Sequence, residues 1–226
     1  MTVAPLPRRG PTLAQQSANQ SRLVHIIDDD NEVRESTSLL LGDLGYSTKA
    51  YPGGRAFLKE ARLDRGCVLL DIYMPEMGGL EVLTELGARG SLLPVIMLSG
   101  IGDVQVAVRA MKLGAADFIA KPYEVEALAA AVENAFLLAE KADAERRMRA
   151  RAMTKLSHLT PREIQILQGL RAGLANKDIA RWLDLSPRTI ESHRAKMMAR
   201  IDAATFSELL RVAHEGGLPD IDIAAE

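Results

Sequence analysis

Cysteine occurs once, at Cys67, in a chain of 226 residues. A disulfide framework is therefore excluded, and so is a thiolate zinc site. The four histidines, His25, His158, His193 and His214, stand at no metal-ligand spacing and support neither a zinc site nor a serine-hydrolase triad. Aromatic residues make up only 4% of the chain, so the cores must be built from Leu, Ile, Val, Ala and the nine Met. A stacking platform for single-stranded nucleic acid is correspondingly not expected. No apolar run approaches the roughly 18–20 residues that span a membrane, and no apolar run follows the Arg8–Arg9 pair as a secretory signal would require. These absences predict a soluble, cytoplasmic protein without membrane contact.

What is present is ordinary globular composition, 47% hydrophobic and 26% charged, which excludes disorder throughout. The length favours two modest domains. The net charge of −2 conceals opposed segments: −5 over residues 1–140, +8 over 141–200 and −5 over 201–226. A basic block between acidic neighbours predicts a polyanion-binding module attached to something else.

Residues 1–21, rich in Pro, Gln and Ser, carry no apolar periodicity and read as a disordered tail. From residue 22 to 138, short apolar runs alternate with amphipathic segments. Candidate strands are LVHII (23–27), STKAY (47–51), CVLLD (67–71), PVIML (94–98) and ADFIA (116–120), with helical patterns such as 31–44 and 104–113 between them. Strands alternating with helices predict an α/β, doubly wound, five-stranded parallel sheet covered on both faces. Ligands of such sheets bind beyond the carboxyl ends of the strands, where the strand order reverses.

Residues 139–154 form a charged helical connector. A 3/4 spacing runs from Val125 through Leu128, Val132 and Ala135 to Met153 and Leu156, as in a coiled coil, but Ala and Arg occupy its centre. A dimeric helical linker and a solvated connector both remain open. From residue 155 to 218 the signal is all helical, over 160–172, 176–183, 186–201 and 205–215, and residues 219–226 form an acidic tail.

The polar residues at the strand ends carry chemistry. Asp28 and Asp29 follow the first strand, Asp71 ends the third, Ser99 follows the fourth and Lys121 follows the fifth. Converging carboxylates repel unless a cation or a proton intervenes. Their oxygens suit Mg²⁺, while Ser99 and Lys121 complete a pocket shaped for a phosphoryl group. A carboxylate can itself be the nucleophile, and Asp71 is the best candidate. Taken alone, three consecutive aspartates would be a solvated or capping cluster, and Lys121 a surface lysine.

IIDDDNEVR (26–34), LLDIYMPEMGG (69–79), VIMLSG (95–100) and DFIAKP (117–122) resemble the receiver domains of two-component response regulators. The resemblance implies Asp71 as phosphoacceptor, with Asp29 a direct ligand of Mg²⁺, Asp28 acting mainly through water, and the Tyr73 carbonyl completing the protein ligands. It implies Ser99 and Lys121 as the grip on the phosphoryl group and Phe118 as an aromatic switch, and it gives Asp30 no site role. The bulky Tyr73 and Ile101, at positions that influence access of water, imply a slowly hydrolysing acyl phosphate.

In the basic module, Ser186 followed by Pro187 marks a helix start. On that helix Ile190, His193, Met197 and Ile201 share one face, and Arg188, Glu191, Ser192 and Ala195 another. An apolar face docked on neighbouring helices leaves the polar face free to enter a major groove. Arg188 and Glu191 suit base edges and Ala195 permits close approach; Thr189 lies on the same helix, and Arg194 and Lys196 suit phosphates. His193 reads as an inward, hydrogen-bonded structural residue. LTPREIQILQGLRAGLANKDIARWL and LSPRTIESHRAKMMARI resemble the LuxR/FixJ-type helix-turn-helix.

Together the two resemblances imply a response regulator of the NarL/FixJ family, on its FixJ branch, and no enzyme with catalytic residues of its own. The implied partners are a sensor histidine kinase, double-stranded promoter DNA, RNA polymerase, and a second copy of the chain meeting it through the region 104–118. A phosphate sink or relay with a protein-binding helical module, a phosphoryl-processing enzyme, and phosphorylation-independent DNA binding are the alternatives.

Overall fold

The computed structural model describes residues 22–100 and 104–221. The expectations for residues 1–21, for Ile101 and for the last residues of the acidic tail lie outside these. The chain forms two units, divided after Ala142.

The first unit holds β1 (Leu23–Ile27), β2 (Ser47–Tyr51), β3 (Cys67–Asp71), β4 (Val95–Ser99) and β5 (Asp117–Ala120). Between them run α1 (Asn31–Asp43), α2 (Gly54–Glu60), α3 (Gly79–Ala88) and α4 (Val104–Lys112). All strand pairs are parallel and the order is β2-β1-β3-β4-β5, which is the doubly wound sheet expected from the sequence. Alternation along each strand divides the core. Val24, Ile26, Cys67, Leu69, Ile96 and Leu98 pack on one face, while Ile27, Val68, Leu70, Val95 and Met97 pack on the other against Phe57, Val82, Leu86 and Ala110. Because β1 separates β2 from β3, the order reverses beside β1, and the crevice opens there between the ends of β1 and β3.

Helix α5 (Val125–Leu156) begins in the first unit and ends in the second. Its traced seam serves two separate cores: Leu128, Val132 and Ala135 are buried against the sheet, whereas Leu156 belongs to the core of the second unit and Met153 is exposed. The apolar positions at the two ends of the traced spacing, Met153 excepted, are thus taken up by the two cores. Ala152 is buried in the second core as well.

The second unit adds α6 (Pro161–Arg171), α7 (Asn176–Trp182), α8 (Pro187–Arg200) and α9 (Phe206–Glu215), packed around Ile166, Leu167, Ile179, Ile190, Met197 and Leu209. Thr160 and Glu163 close a capping box at the start of α6, and Ser186 caps α8 with Pro187 behind it. The turn between α7 and α8 has Asp184 at φ +52°, a left-handed position that Asp tolerates better than most residues.

Candidate functional site

The three aspartates after β1 take three different places. Asp28 is buried, its Oδ1 accepting from the Asp30 amide at 3.0 Å. Asp29 is exposed. Asp30 caps α1, accepting from the Glu32 amide at 2.8 Å. Asp71, at the end of β3, is 6% exposed and accepts from the Tyr73 amide at 2.8 Å. Ser99 ends β4 and is fully buried; its carbonyl accepts from the Lys121 amide at 2.6 Å. That bond fixes the lysine at the end of β5, and the Lys121–Pro122 peptide is cis.

Lys121 Nζ donates to Asp28 Oδ2 at 2.6 Å and to Asp71 Oδ1 at 2.5 Å. The structure thus brings Asp28, Asp71, Lys121 and Ser99 together at the strand ends. Asp29, next to Asp28 in the chain, is exposed, and among the described residues no group of three His, Cys, Asp or Glu side chains is placed to hold a metal ion. Burial pushes the Asp71 carboxyl above its ordinary range, and the nearby Asp28 charge adds to this against the opposing hydrogen bond from Lys121. Burial works against the Lys121 charge too, but the two carboxylates outweigh it and hold its pKa above the ordinary value. The two shifts have different leading causes: burial disfavours the charged Asp71 carboxylate, and the two carboxylates favour the charged Lys121 ammonium.

Gly79, the second glycine of the MGG run, was given no role of its own by the sequence. A Cβ there would lie 2.2 Å from the Asp71 carbonyl oxygen. The start of α3 therefore presses directly on the backbone of the phosphoacceptor candidate, a use of glycine as a close-approach residue. Phe118 lies on β5 opposite Met97, half-buried, beside a groove lined by Val104, Val108 and Met111. Val104 and Val108 are exposed, so this face is apolar and open to solvent.

On α8, Ile190 and Met197 are buried, as is Ile201 at its C-cap, and Arg188, Glu191, Ser192, Ala195 and Lys196 are exposed. Two residues of the expected DNA-contacting set, Thr189 and Arg194, are half-buried. Thr189 is half-buried, its Oγ1 2.8 Å from the Ser186 hydroxyl. Arg194 lies over the Phe206 ring at 4.2 Å and donates to Asn176 Oδ1 at 3.3 Å. His193 does face inward, but its Nδ1 is 4.0 Å from Glu163 Oε1 and makes no hydrogen bond, contrary to the expected hydrogen-bonded histidine.

A sheet ordered 2-1-3-4-5 with an acid–lysine crevice at its carboxyl edge, followed in one chain by a helix-turn-helix unit, defines the class: a two-component response regulator with a DNA-binding output. Comparison with known proteins narrows it. Residues 24–133 match the response regulator receiver domain and residues 157–213 the bacterial regulatory proteins of the luxR family. The transcriptional regulatory protein FixJ of Azorhizobium caulinodans is 43% identical over 206 residues, covering 91% of this chain and 98% of that protein. The tetrathionate response regulatory protein TtrR of Salmonella typhimurium is 37% identical, covering 88% of this chain and 96% of its own. Among solved structures, full-length FixJ from B. japonicum superposes with a TM-score of 0.54 at 40% identity, covering 88% of this chain and 98% of that one. The response regulator StyR superposes with a TM-score of 0.70 at 34% identity, covering 86% and 98%.

The chain belongs to the FixJ-like family of response regulators: it is a transcriptional regulator with a receiver domain and a LuxR-type DNA-binding domain, and not an enzyme. A receiver implies a histidine kinase as partner, and the helix-turn-helix implies DNA. Among the described residues no helix is long and apolar enough to cross a membrane.

Proposed function

We propose that Asp71 accepts a phosphoryl group from a phosphohistidine of the partner sensor kinase, and that the phosphorylated chain dimerises, binds promoter DNA in the cytoplasm and contacts RNA polymerase. The observation that carries this reading is Lys121, set between Asp28 and Asp71 in a crevice that one positive charge leaves negative. Hard oxygen donors at such a site suit a divalent ion. Asp28, Asp71 and the Tyr73 carbonyl would hold Mg²⁺, with Asp29 turned in from its exposed position, and the ion would neutralise charge on the transferring oxygens.

Asp71 is the nucleophile. One carboxylate oxygen bonds to phosphorus as the phosphorus–nitrogen bond of the phosphohistidine breaks, and the electron pair leaves with the imidazole, which takes up a proton. Lys121 and Ser99 then hold the new phosphoryl group, which adds about −1.5 to −2 charges. Hydrogen bonds to charged groups contribute about 1.5–3 kcal/mol each, so two approach the roughly 5.5 kcal/mol that swings a 1:99 equilibrium to 99:1. Phe118 couples this shift to the apolar face over residues 104–118, where two copies meet.

A dimer presents two copies of α8 to paired half-sites. Arg188, Thr189, Glu191, Ser192 and Ala195 belong to the base-reading side, and Arg194 and Lys196 position the helix on phosphates. Tyr73 and Ile101 limit hydrolytic water and lengthen the life of the phosphorylated form.

Incubation with acetyl phosphate and Mg²⁺ tests the chemistry. The expected result is a hydroxylamine-labile phosphoryl adduct on the wild type and none on Asp71→Asn; an undiminished adduct on the variant would overturn the assignment.

A further inference from the structure

Glu163, at the third position of α6, is 1% exposed. Three donors converge on its Oε2: the Thr160 amide and the Thr160 hydroxyl, each at 2.9 Å, and Arg200 Nη1 at 2.7 Å. Arg200 is the last residue of α8, so this carboxylate ties the exposed-faced helix to its scaffold. Its other oxygen faces His193 Nδ1, two turns earlier on α8, at 4.0 Å, and that nitrogen is buried without a hydrogen-bond partner.

The 4.0 Å separation is too long for a hydrogen bond whichever tautomer the neutral ring adopts. A protonated ring donates from both nitrogens, and closing the gap by about 1 Å would give a charge-assisted bond. Imidazole is the side chain whose charge changes between about pH 5 and 8. Glu163 is ionised throughout that range: burial works against its charge, but the Thr160 amide and hydroxyl and the Arg200 guanidinium hold its carboxyl below the ordinary range.

Other charged groups on the elements around α8 have partners of their own. On α6, Arg162 donates to the Leu183 carbonyl and to Gln165 Oε1, and Arg171 donates to the Leu218 carbonyl and pairs with Asp220. Asp178 pairs with Arg181 on α7, Arg211 pairs with Glu208 and Glu215 on α9, and Lys177, His158 and His214 are exposed. On α8 itself Arg194 is stacked on Phe206.

We infer that Glu163 is the positioning residue of the DNA-reading helix, holding it through Arg200 across about pH 5 to 8 and through His193 only when that imidazole is protonated, so that sequence discrimination sharpens on mild acidification. This rests on α8 being the helix that reads DNA. The exposed residues Glu191, Ser192 and Ala195 flank His193 in the chain, so drawing His193 toward α6 moves them together. Arg200 anchors the far end of the helix, and the second contact fixes its tilt.

The test uses the full chain phosphorylated with acetyl phosphate, a duplex that it selects from a random-sequence pool, and a scrambled duplex. The ratio of the two affinities cancels general electrostatic attraction. Between pH 8 and pH 6 the wild-type ratio should rise roughly five-fold or more, in the range of ordinary coupling between sites. His193→Gln should abolish the rise, whereas His158→Gln and His214→Gln should keep it, and Glu163→Gln should lower the ratio at both pH values. If Glu163→Gln does not fold, the three histidine variants still decide. A pH-independent wild-type ratio, or a rise retained in His193→Gln, would overturn the inference. Glu191→Ala separates this from the reading beneath it: unchanged sequence selection in that variant would overturn α8 as the reading helix.

Discussion

The Lys121 ammonium lies 2.5 Å from Asp71 Oδ1, joining the end of β5 to the end of β3 across the crevice. With Asp28 on its other side at 2.6 Å, it is the cation among the described residues that balances two buried carboxylates. Lys121→Met should therefore destabilise the receiver by about 2 kcal/mol in urea unfolding with EDTA present. This is less than the roughly 3–5 kcal/mol for breaking a fully buried pair, because Lys121 is 25% exposed. Added Mg²⁺ should raise the unfolding midpoint of the variant more than that of the wild type. Equal shifts would show that the ion and the lysine do not compensate the same charges.

Glycine positions offer a paired comparison. Gly79→Ala would push a methyl group against the Asp71 carbonyl, costing about 1–3 kcal/mol by overpacking and slowing phosphorylation. Gly87→Ala, in α3 with nothing within 4 Å of the added Cβ, should stabilise by about 0.5–1 kcal/mol and leave phosphorylation unchanged. Urea midpoints together with the rate of adduct formation distinguish the two.

His25 gives the receiver a dependence on pH. It is 1% exposed, its Nδ1 3.2 Å from the Tyr51 hydroxyl, and burial holds its pKa below the ordinary histidine value. The unfolded chain therefore binds the proton more readily between the lowered folded value and about pH 6.5. Stability should be full above that window and fall as pH drops through it, with a slope of at most about 1.4 kcal/mol per pH unit. His25→Gln should flatten this slope in urea unfolding between pH 7.5 and 5.5.

Cys67 is fully buried and its thiol is pushed up to about 12 by burial. Iodoacetamide should label it only as fast as the receiver unfolds. Labelling of the native protein at the rate of a free thiol would contradict its place in the sheet.

On α8, Ile190 and Glu191 are neighbours in sequence with opposite roles. Ile190 is fully buried, so Ile190→Ala should cost about 2–5 kcal/mol and weaken binding to every DNA. Glu191 is exposed, and Glu191→Ala should leave stability within about 0.5 kcal/mol while changing which duplex is selected.

The strand ends were the most legible part of the site. Continuous apolar runs located β1 and β3 to the residue, the turn-bounded segment STKAY matched β2, and β4 and β5 began one residue later than expected, at Val95 and Asp117. Lys121 and Asp71 followed from those ends. The division of labour within Asp28, Asp29 and Asp30 was not legible beyond leaving Asp30 without a site role, because it depends on which carboxylate turns toward the helix start and which toward Lys121. Helix α2 has only seven residues and opens on Gly53–Gly54, a pair that reads as a turn. Arg194 has the charge and spacing of a phosphate contact, and its stacking on Phe206 was not legible because that ring lies in another helix and only the tertiary fold brings it near. The 3/4 spacing of α5 left two readings open for a related reason: sequence spacing cannot tell a seam between two chains from successive contacts with two cores.

The most direct test of the whole account is DNA binding and oligomer size measured together, with and without acetyl phosphate and Mg²⁺, on the wild type and on Asp71→Asn. The wild type alone should shift from monomer to dimer on phosphorylation and gain tight, salt-sensitive binding to its selected duplex. Equal DNA binding by Asp71→Asn, or a phosphorylated wild type that neither dimerises nor binds DNA more tightly, would contradict it.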